Sequence, residues 1–342
     1  MASKENKEQY IVKVTVYCLA FKHAKYIRET LEGFISQKTN FRFEVIIHDD
    51  ASNDGTAEII YEYSQRYPEI IVPIVQSENQ YSKKISIVKD YVLPFVRGEY
   101  VAICEGDDYW TDSYKLQKQV DVLELHKDSC LCLHRVREVN EDAKPTGHTY
   151  PSFALKNEVI DTETFINMQT NYNFQTSSYM LRSLEWKNYI QNPPKFKKVS
   201  MVGDVPLLLY FGNLGPVCFI DATMSCYRRG VSTSFSMKLT NSTDEKKISQ
   251  HQSTINMFEL YDEYTDYRYH QFCIKKIAYE KVAIALIDGN IKYLLNKENK
   301  KYCKSLDTKR KIFIGLSFLF PHIMSKIIKI RRNKIKSSHA IN

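Results

Sequence analysis

Two pairs of adjacent carboxylates, Asp49-Asp50 and Asp107-Asp108, stand where apolar runs end. The first follows Phe41 to Ile47 and opens the polar cluster His48-Asp-Asp-Ala-Ser-Asn-Asp-Gly-Thr56; the second lies in Tyr100-Val-Ala-Ile-Cys-Glu-Gly-Asp-Asp-Tyr-Trp110. Neighbouring carboxylates repel each other and are relieved by a divalent cation, while a single carboxylate accepts hydrogen bonds from a base N–H or from ribose hydroxyls. That combination suits a nucleotide diphosphate. Each pair alone also reads as an acidic turn, since Asp and Gly dominate turns; two pairs ending different strands of one sheet can converge on one crevice. A further carboxylate, Asp204, lies in Gly203-Asp-Val-Pro-Leu-Leu-Leu209, where it suits a helix N-cap with proline early in the helix. Such a capping loop can also present a carboxylate. None of the 11 glycines forms GxGxxG or GxxxxGK, which weakens dehydrogenase and P-loop readings.

The surrounding pattern supplies the elements that would position these groups. Ile11 to Leu19 is a β-branched strand, and Ile27, Leu31, Phe34 and Ile35 have helical spacing. Phe41 to Ile47, Ile70 to Val75 and Tyr100 to Cys104 read as further strands, with Ala57 to Tyr67 helical and Ile85 to Val96 helical with a break near Pro94. Leu116, Val120 and Leu123 form a helical stripe before a strand from Ser129 to Val136; residues 140–157 read as loop, and residues 172–182 and 216–227 as further strands. Strands alternating with helices imply right-handed βαβ units and a mostly parallel sheet, whose carboxyl edge is where ligands bind. Gly106 lets the chain turn sharply there. Tyr109 and Trp110 fit either a sugar-stacking platform or a core anchor.

The chain of 342 residues has room for one large domain or two smaller ones. Its net charge of +8 is concentrated after residue 295 and does not interleave with aromatics, so nucleic acid is not the expected partner. Ile312, Leu316, Leu319, Ile323, Ile327 and Ile330 form an apolar stripe ending among Lys326, Lys329, Arg331, Arg332, Lys334 and Lys336. Such a segment, Ile312 to Lys336, can lie on an anionic membrane surface or pack on the domain with a solvated tail. The eight cysteines are scattered through apolar runs and read as reduced thiols, which favours the cytoplasm. Cys130-x-Cys132-x-His134 lacks the second pair of a zinc finger and reads as strand.

These residues carry a resemblance. Val12-Lys-Val-Thr-Val16 with Tyr26-Ile27, Glu44-Val-Ile-Ile-His-Asp-Asp-Ala-Ser-Asn-Asp-Gly-Thr56 and Gly98-Glu-Tyr-Val-Ala-Ile-Cys-Glu-Gly-Asp-Asp-Tyr-Trp110 resemble the family 2 glycosyltransferases of the GT-A fold, over residues 11–136 and more weakly to about 233. The resemblance implies an α/β GT-A fold, with residues 1–232 catalytic, a nucleotide-binding half about 10–136 and an acceptor half about 137–232; from about Ser232 the sequence turns polar, charged and helical with few glycines, which sets residues 233–342 apart as a helical C-terminal extension. The resemblance also implies metal-dependent, inverting transfer of a sugar from a nucleotide-diphosphate donor, a UDP-sugar first, to a glycan or lipid-linked acceptor in cell-surface polysaccharide synthesis. By position it assigns Asp50 to the base, Asp107 to the ribose or sugar, Asp108 to Mg2+ or Mn2+, and Asp204 to the catalytic base. Gln175 to Tyr179 falls near the acceptor and Cys226 to Thr233 near the diphosphate. The chain has Phe21-Lys22 where the family has Tyr-Asn, and Gly230 where many members have histidine, so Lys83, Lys84, Arg228 and Arg229 are the substitute cations. Localisation is expected to be cytoplasmic, peripheral on the inner face of the membrane. The alternatives are a sugar nucleotidyltransferase, which would carry a glycine-rich loop where Tyr17 to Ala24 has no glycine, and a non-catalytic glycan-binding protein of the same fold.

Overall fold

The computed structural model describes residues 11–155, 159–169, 174–303, 311–312, 315–316 and 319–320. Its first half alternates strand and helix: β1 (Val12–Ala20), α1 (Ile27–Ile35), β2 (Arg42–Asp49), α2 (Thr56–Arg66), β3 (Ile71–Val75), β4 (Tyr100–Glu105), β5 (Tyr109–Trp110) and α3 (Lys115–Leu125). There follow β6 (Leu131–Val139), β7 (Pro145–Tyr150), β8 (Val159–Ile160), α4 (Thr162–Met168), β9 (Met180–Arg182), α5 (Ser183–Gln191), α6 (Lys195–Val199), α7 (Asp204–Leu214) and β10 (Val217–Arg228). The remainder is helical: α8 (Phe235–Thr240), α9 (Asp244–Tyr264), α10 (His270–Asp288), α11 (Ile291–Leu295) and α12 (Lys297–Cys303).

The sheet runs β3-β2-β1-β4-β9-β6-β10-β5. From β3 to β4 every neighbour is parallel, as βαβ connections require. Beyond β4 the sheet is mixed, because β9 enters antiparallel to both β4 and β6 while β6 and β10 are parallel. The apolar spacing of the helices explains how the sheet is covered: Ile27, Leu31 and Phe34 of α1 and Leu116, Val120 and Leu123 of α3 join Val14, Val16, Cys18, Ala102 and Cys104 in one buried cluster. Each Val, Leu, Ile or Phe side chain among them contributes about 1.5–3 kcal/mol against the entropy of ordering the chain.

Three expectations on local structure change. The expected helix over 85–96 is a five-residue π turn, Val88–Val92, followed by a 3-10 turn, Leu93–Phe95, since Pro94 offers no N–H to continue a helical ladder. The expected loop 140–157 contains β7, whose Pro-Thr-Gly-His-Thr-Tyr sequence lacks an apolar face because it is an edge strand exposed over its first four residues. Among the described residues of the strand expected over 172–182, only β9 is sheet, preceded by a 3-10 turn at Thr176–Ser178.

The chain forms two compact units, residues 1–193 with 207–234, and residues 194–206 with 235–342. In the second, α9 starts on Thr243, whose side chain accepts from the Lys246 N–H, and Phe196 of α6 meets Tyr261 edge-on at 5.2 Å. Among the described residues no helix is long and apolar enough to cross a membrane. Ile312, Leu316 and Leu319 are exposed; the rest of the expected membrane stripe, residues 321–342, lies outside the described residues.

Candidate active site

The parallel register brings the two acidic pairs together. Ala20 at the end of β1 is level with Asp49 on one side, and Leu19 with Glu105 on the other. The Asp50 N–H donates to Ala20 O at 3.1 Å and the Gly106 N–H to Leu19 O at 3.0 Å, so the pairs leave the sheet on either side of a single strand end. With strands about 4.8 Å apart, that places them roughly 10 Å from each other. All four aspartates are buried in the protein alone.

The loops that carry them are tied to one another. Lys22, His23 and Ala24, leaving β1, donate their backbone N–H groups to Ser52 Oγ, Thr56 Oγ1 and Asp54 Oδ2. Ser52 in turn donates both its N–H and its hydroxyl to Asp49, whose pKa is raised by burial. Asp50 accepts the Gln80 N–H at 2.7 Å and the Tyr81 N–H at 3.1 Å, one on each oxygen. It thereby pins the 3-10 turn Tyr81–Lys83. Lys83 at the end of that turn is half exposed and paired with Glu78, and Lys84 follows in a left-handed conformation.

The Asp107-Asp108 turn is held from three directions. The Thr30 hydroxyl of α1 reaches Gly106 O at 3.1 Å and Asp108 O at 2.6 Å. A Cβ on Gly106 would come within 2.8 Å of His23 Nδ1, so only glycine lets the turn lie this close to the first loop. From β10, the Arg228 N–H donates to Asp108 Oδ1 at 2.8 Å and Arg228 Nε to Asp107 O at 2.9 Å.

The rest of the Arg228 side chain faces protein as well. It donates to Glu141 O and, at 2.5 Å, to Glu29 Oε2, and its guanidinium lies over the rings of Tyr26 and Tyr109 at 4.8 and 5.2 Å. At 3% exposed, Arg228 is a bracket for the turn rather than an open cation for a diphosphate, because each guanidinium nitrogen already has a protein acceptor. Its neighbour Arg229 is 64% exposed at the side chain and pairs with buried Glu138 at 3.2 Å.

The two carboxylates of the turn differ. Asp108 is enclosed, and burial, followed by the charges of Asp107 and Glu105, holds its pKa well above the carboxylate range. Asp107 is the more open, with His23 Nε2 at 3.9 Å from its Oδ2. His23 is the residue that the sequence reading passes over; its signal is only a histidine three positions past the first strand. Trp110 is a core anchor, edge-on to Phe34 at 4.7 Å with the Lys115 ammonium over it at 4.0 Å, and Tyr109 covers Arg228.

No group of three or more His, Cys, Asp or Glu side chains suited to a metal exists among the described residues. A divalent cation nevertheless fits the turn, since burial and the charge of Asp107 raise the proton affinity of the Asp108 carboxylate, and such cations bind one or two carboxylates and complete their shell with substrate phosphates and water.

Asp204 opens α7 on the segment that belongs to the second unit. It is half-buried, its Oδ1 accepts the Val205 N–H at 2.8 Å, and burial raises its pKa.

A model of glycosyl transferase family 2 matches residues 15–187, just over half of the 342. An uncharacterized protein of Mycobacterium tuberculosis is 35% identical over 218 residues, 63% of this chain and 58% of that protein. The putative glycosyltransferase EpsE of Bacillus subtilis is 32% identical over 34% of this chain and 40% of its own. The UDP-Glc:alpha-D-GlcNAc-diphosphoundecaprenol beta-1,3-glucosyltransferase WfaP of Escherichia coli is 30% identical over 33% of this chain and 42% of its own. The chain therefore spans less than two thirds of the length of these curated relatives. Among solved structures, residues 1–349 of S. aureus TarS in complex with UDP superpose with a TM-score of 0.52 at 14% identity, covering 90% of this chain and 91% of that one.

Proposed function

Because the chain belongs to glycosyl transferase family 2 and has the GT-A fold, we propose that the crevice at the end of β1 binds a nucleotide-diphosphate sugar, a UDP-sugar first, and that the enzyme transfers the sugar with inversion to a glycan or lipid-linked hydroxyl in surface-polysaccharide synthesis. The observation that carries this reading is the meeting of the Asp49-Asp50 and Asp107-Asp108 turns on either side of one strand end, each fixed by contacts from other elements.

Asp50 keeps the second lone pair of each oxygen for the N–H of a base, and Asp107 offers the more open carboxylate to a ribose or sugar hydroxyl or to a cation. A divalent cation held against the Asp107-Asp108 pair would neutralise the departing diphosphate. Lys83, Lys84 and Arg229, all exposed, are cations available to phosphate oxygens. Asp204 takes the proton of the acceptor hydroxyl as that oxygen bonds to the anomeric carbon and the bond to the diphosphate breaks. Its raised pKa brings it nearer to a useful base. Nucleotidyl transfer is disfavoured by the first loop, whose N–H groups at 22–24 are consumed by Ser52, Thr56 and Asp54 and cannot cradle a phosphate.

The test is turnover and donor binding of Asp204→Asn. Loss of a general base lowers kcat by about 10²- to 10⁴-fold while UDP affinity persists; near-normal turnover would show that the base is another group. The basic segment Ile312 to Lys336 is proposed to hold the enzyme on an anionic membrane surface, where a lipid-linked acceptor resides.

A further inference from the structure

We infer that the helical unit carries a saccharide-binding groove of its own, apart from the donor crevice. A groove of about 880 Å³ lies between α9, α10 and the short helices α11 and α12, all within the second unit. Its walls differ in character. Glu259, Asp262 and Glu263 of α9 give one side carboxylates, Lys281, Lys297 and Lys301 with Glu298 among them give the other side mostly amines, and Tyr267, Tyr293 and Tyr302 add aromatic surface.

Two features mark the groove, the first at Tyr267, whose ring meets His270 edge-on at 6.1 Å. Tyr267 is 61% exposed, and both it and Asp266 take left-handed backbone angles, φ +60° and +48°, in the turn between α9 and α10. That conformation is unfavourable for any side chain with a Cβ and favours glycine, so an exposed ring is held at the mouth of the groove against a backbone cost. Asp262 is 6% exposed; its Oδ2 accepts His270 Nδ1 at 2.6 Å, while its Oδ1 has no hydrogen-bond partner among the described residues. The bond fixes the imidazole tautomer and leaves Nε2 as the outer nitrogen of a half-exposed ring.

Sugars present apolar C–H faces and hydroxyls that both donate and accept, which matches tyrosine rings set among carboxylates, amines and an imidazole. A lipid tail would find only Ile274, Ile277 and Ala278 for apolar lining, and a nucleic-acid strand would meet the carboxylates of α9. The choice of a saccharide rests in part on the glycosyl-transfer reading; the geometry of the groove does not.

The full chain is titrated with chitotetraose, cellotetraose and maltotetraose by calorimetry and saturation-transfer NMR, with inositol hexakisphosphate as a polyanion. At least one tetrasaccharide should bind, and Tyr267→Gly should weaken it by about tenfold or more, as loss of an aromatic anchor does. The same variant should melt no lower than the wild type, because glycine relieves the left-handed angle. If Tyr267→Gly does not fold, Tyr267→Asn takes its place. His270→Gln should weaken binding by a smaller factor. The inference is overturned if no tetrasaccharide binds, if the Tyr267 variant binds with wild-type affinity, or if only the polyanion binds. UDP titration of the same samples reads the donor crevice separately, so the two readings fail independently.

Discussion

Asp107 and Asp108 are neighbours in sequence with different surroundings, and substitutions should separate them. Asp107 is the more accessible carboxylate, while Asp108 also accepts a main-chain hydrogen bond from Arg228. Asp107→Asn should weaken UDP binding in the presence of Mn2+ by roughly tenfold or more with little change in melting temperature, since a charge-assisted contact is lost but no packing. Calorimetric titration with and without the cation checks it; unchanged affinity would remove Asp107 from the site. Arg228→Met strikes the bracket instead. It leaves the Asp107 carbonyl without its buried donor, while Glu29, 44% exposed at the side chain, stays hydrated, so a loss of about 1–3 kcal/mol in denaturant unfolding is expected. The carboxylate pairs were legible in the sequence because both members and the strand before them are contiguous. The work of Arg228 was not, because Glu29, Asp107 and Glu141 are brought to it only by the fold, and an arginine beside tyrosine reads equally as a phosphate ligand.

At the scale of elements, α3 carries a group that no apolar pattern announces. Lys115 is wholly buried beneath Trp110, its ammonium donates to Gln119 at 2.7 Å, and burial lowers its pKa to about 7. A folded-state pKa below the unfolded one means that the unfolded chain binds more protons between the two. The cost of burying the ammonium is therefore full below pH about 7 and fades as pH rises toward the unfolded value. From pH about 6 to about 9 the wild type should gain on the order of 3 kcal/mol from this group, and Lys115→Met, which has no proton to lose, should not. Urea unfolding of both proteins across that range measures the difference. Parallel curves would mean that the amine keeps its proton in the fold, stabilised by Trp110 and Gln119. The helical stripes of α1 and α3 were readable because spacing alone decides which face is buried. The segment 194–206 was not expected to join the helical unit, since its membership depends on pairings such as Phe196 with Tyr261, far apart in the chain.

Over the whole molecule, charge and apolar residues are unevenly placed along the chain, and this bears on the proposed attachment to an anionic membrane surface. Six of the cations behind the net charge of +8 fall between Lys326 and Lys336, next to an apolar stripe whose first members, Ile312, Leu316 and Leu319, are exposed. Near an anionic surface each basic residue contributes about 1 kcal/mol, attenuated by salt over the Debye length, whereas apolar insertion is insensitive to salt. Both contributions should show in flotation with phosphatidylglycerol-containing vesicles. The full chain should float at low salt and partly detach at about 0.5 M, where the Debye length falls to roughly 4 Å. Replacing all six cations with glutamine should cut flotation at low salt to the residual level that the wild type keeps at high salt, and replacing Ile312, Leu316 and Leu319 with serine should make the remaining binding fully salt-sensitive. Equal flotation of the wild type and the six-glutamine protein would place membrane attachment elsewhere in the molecule.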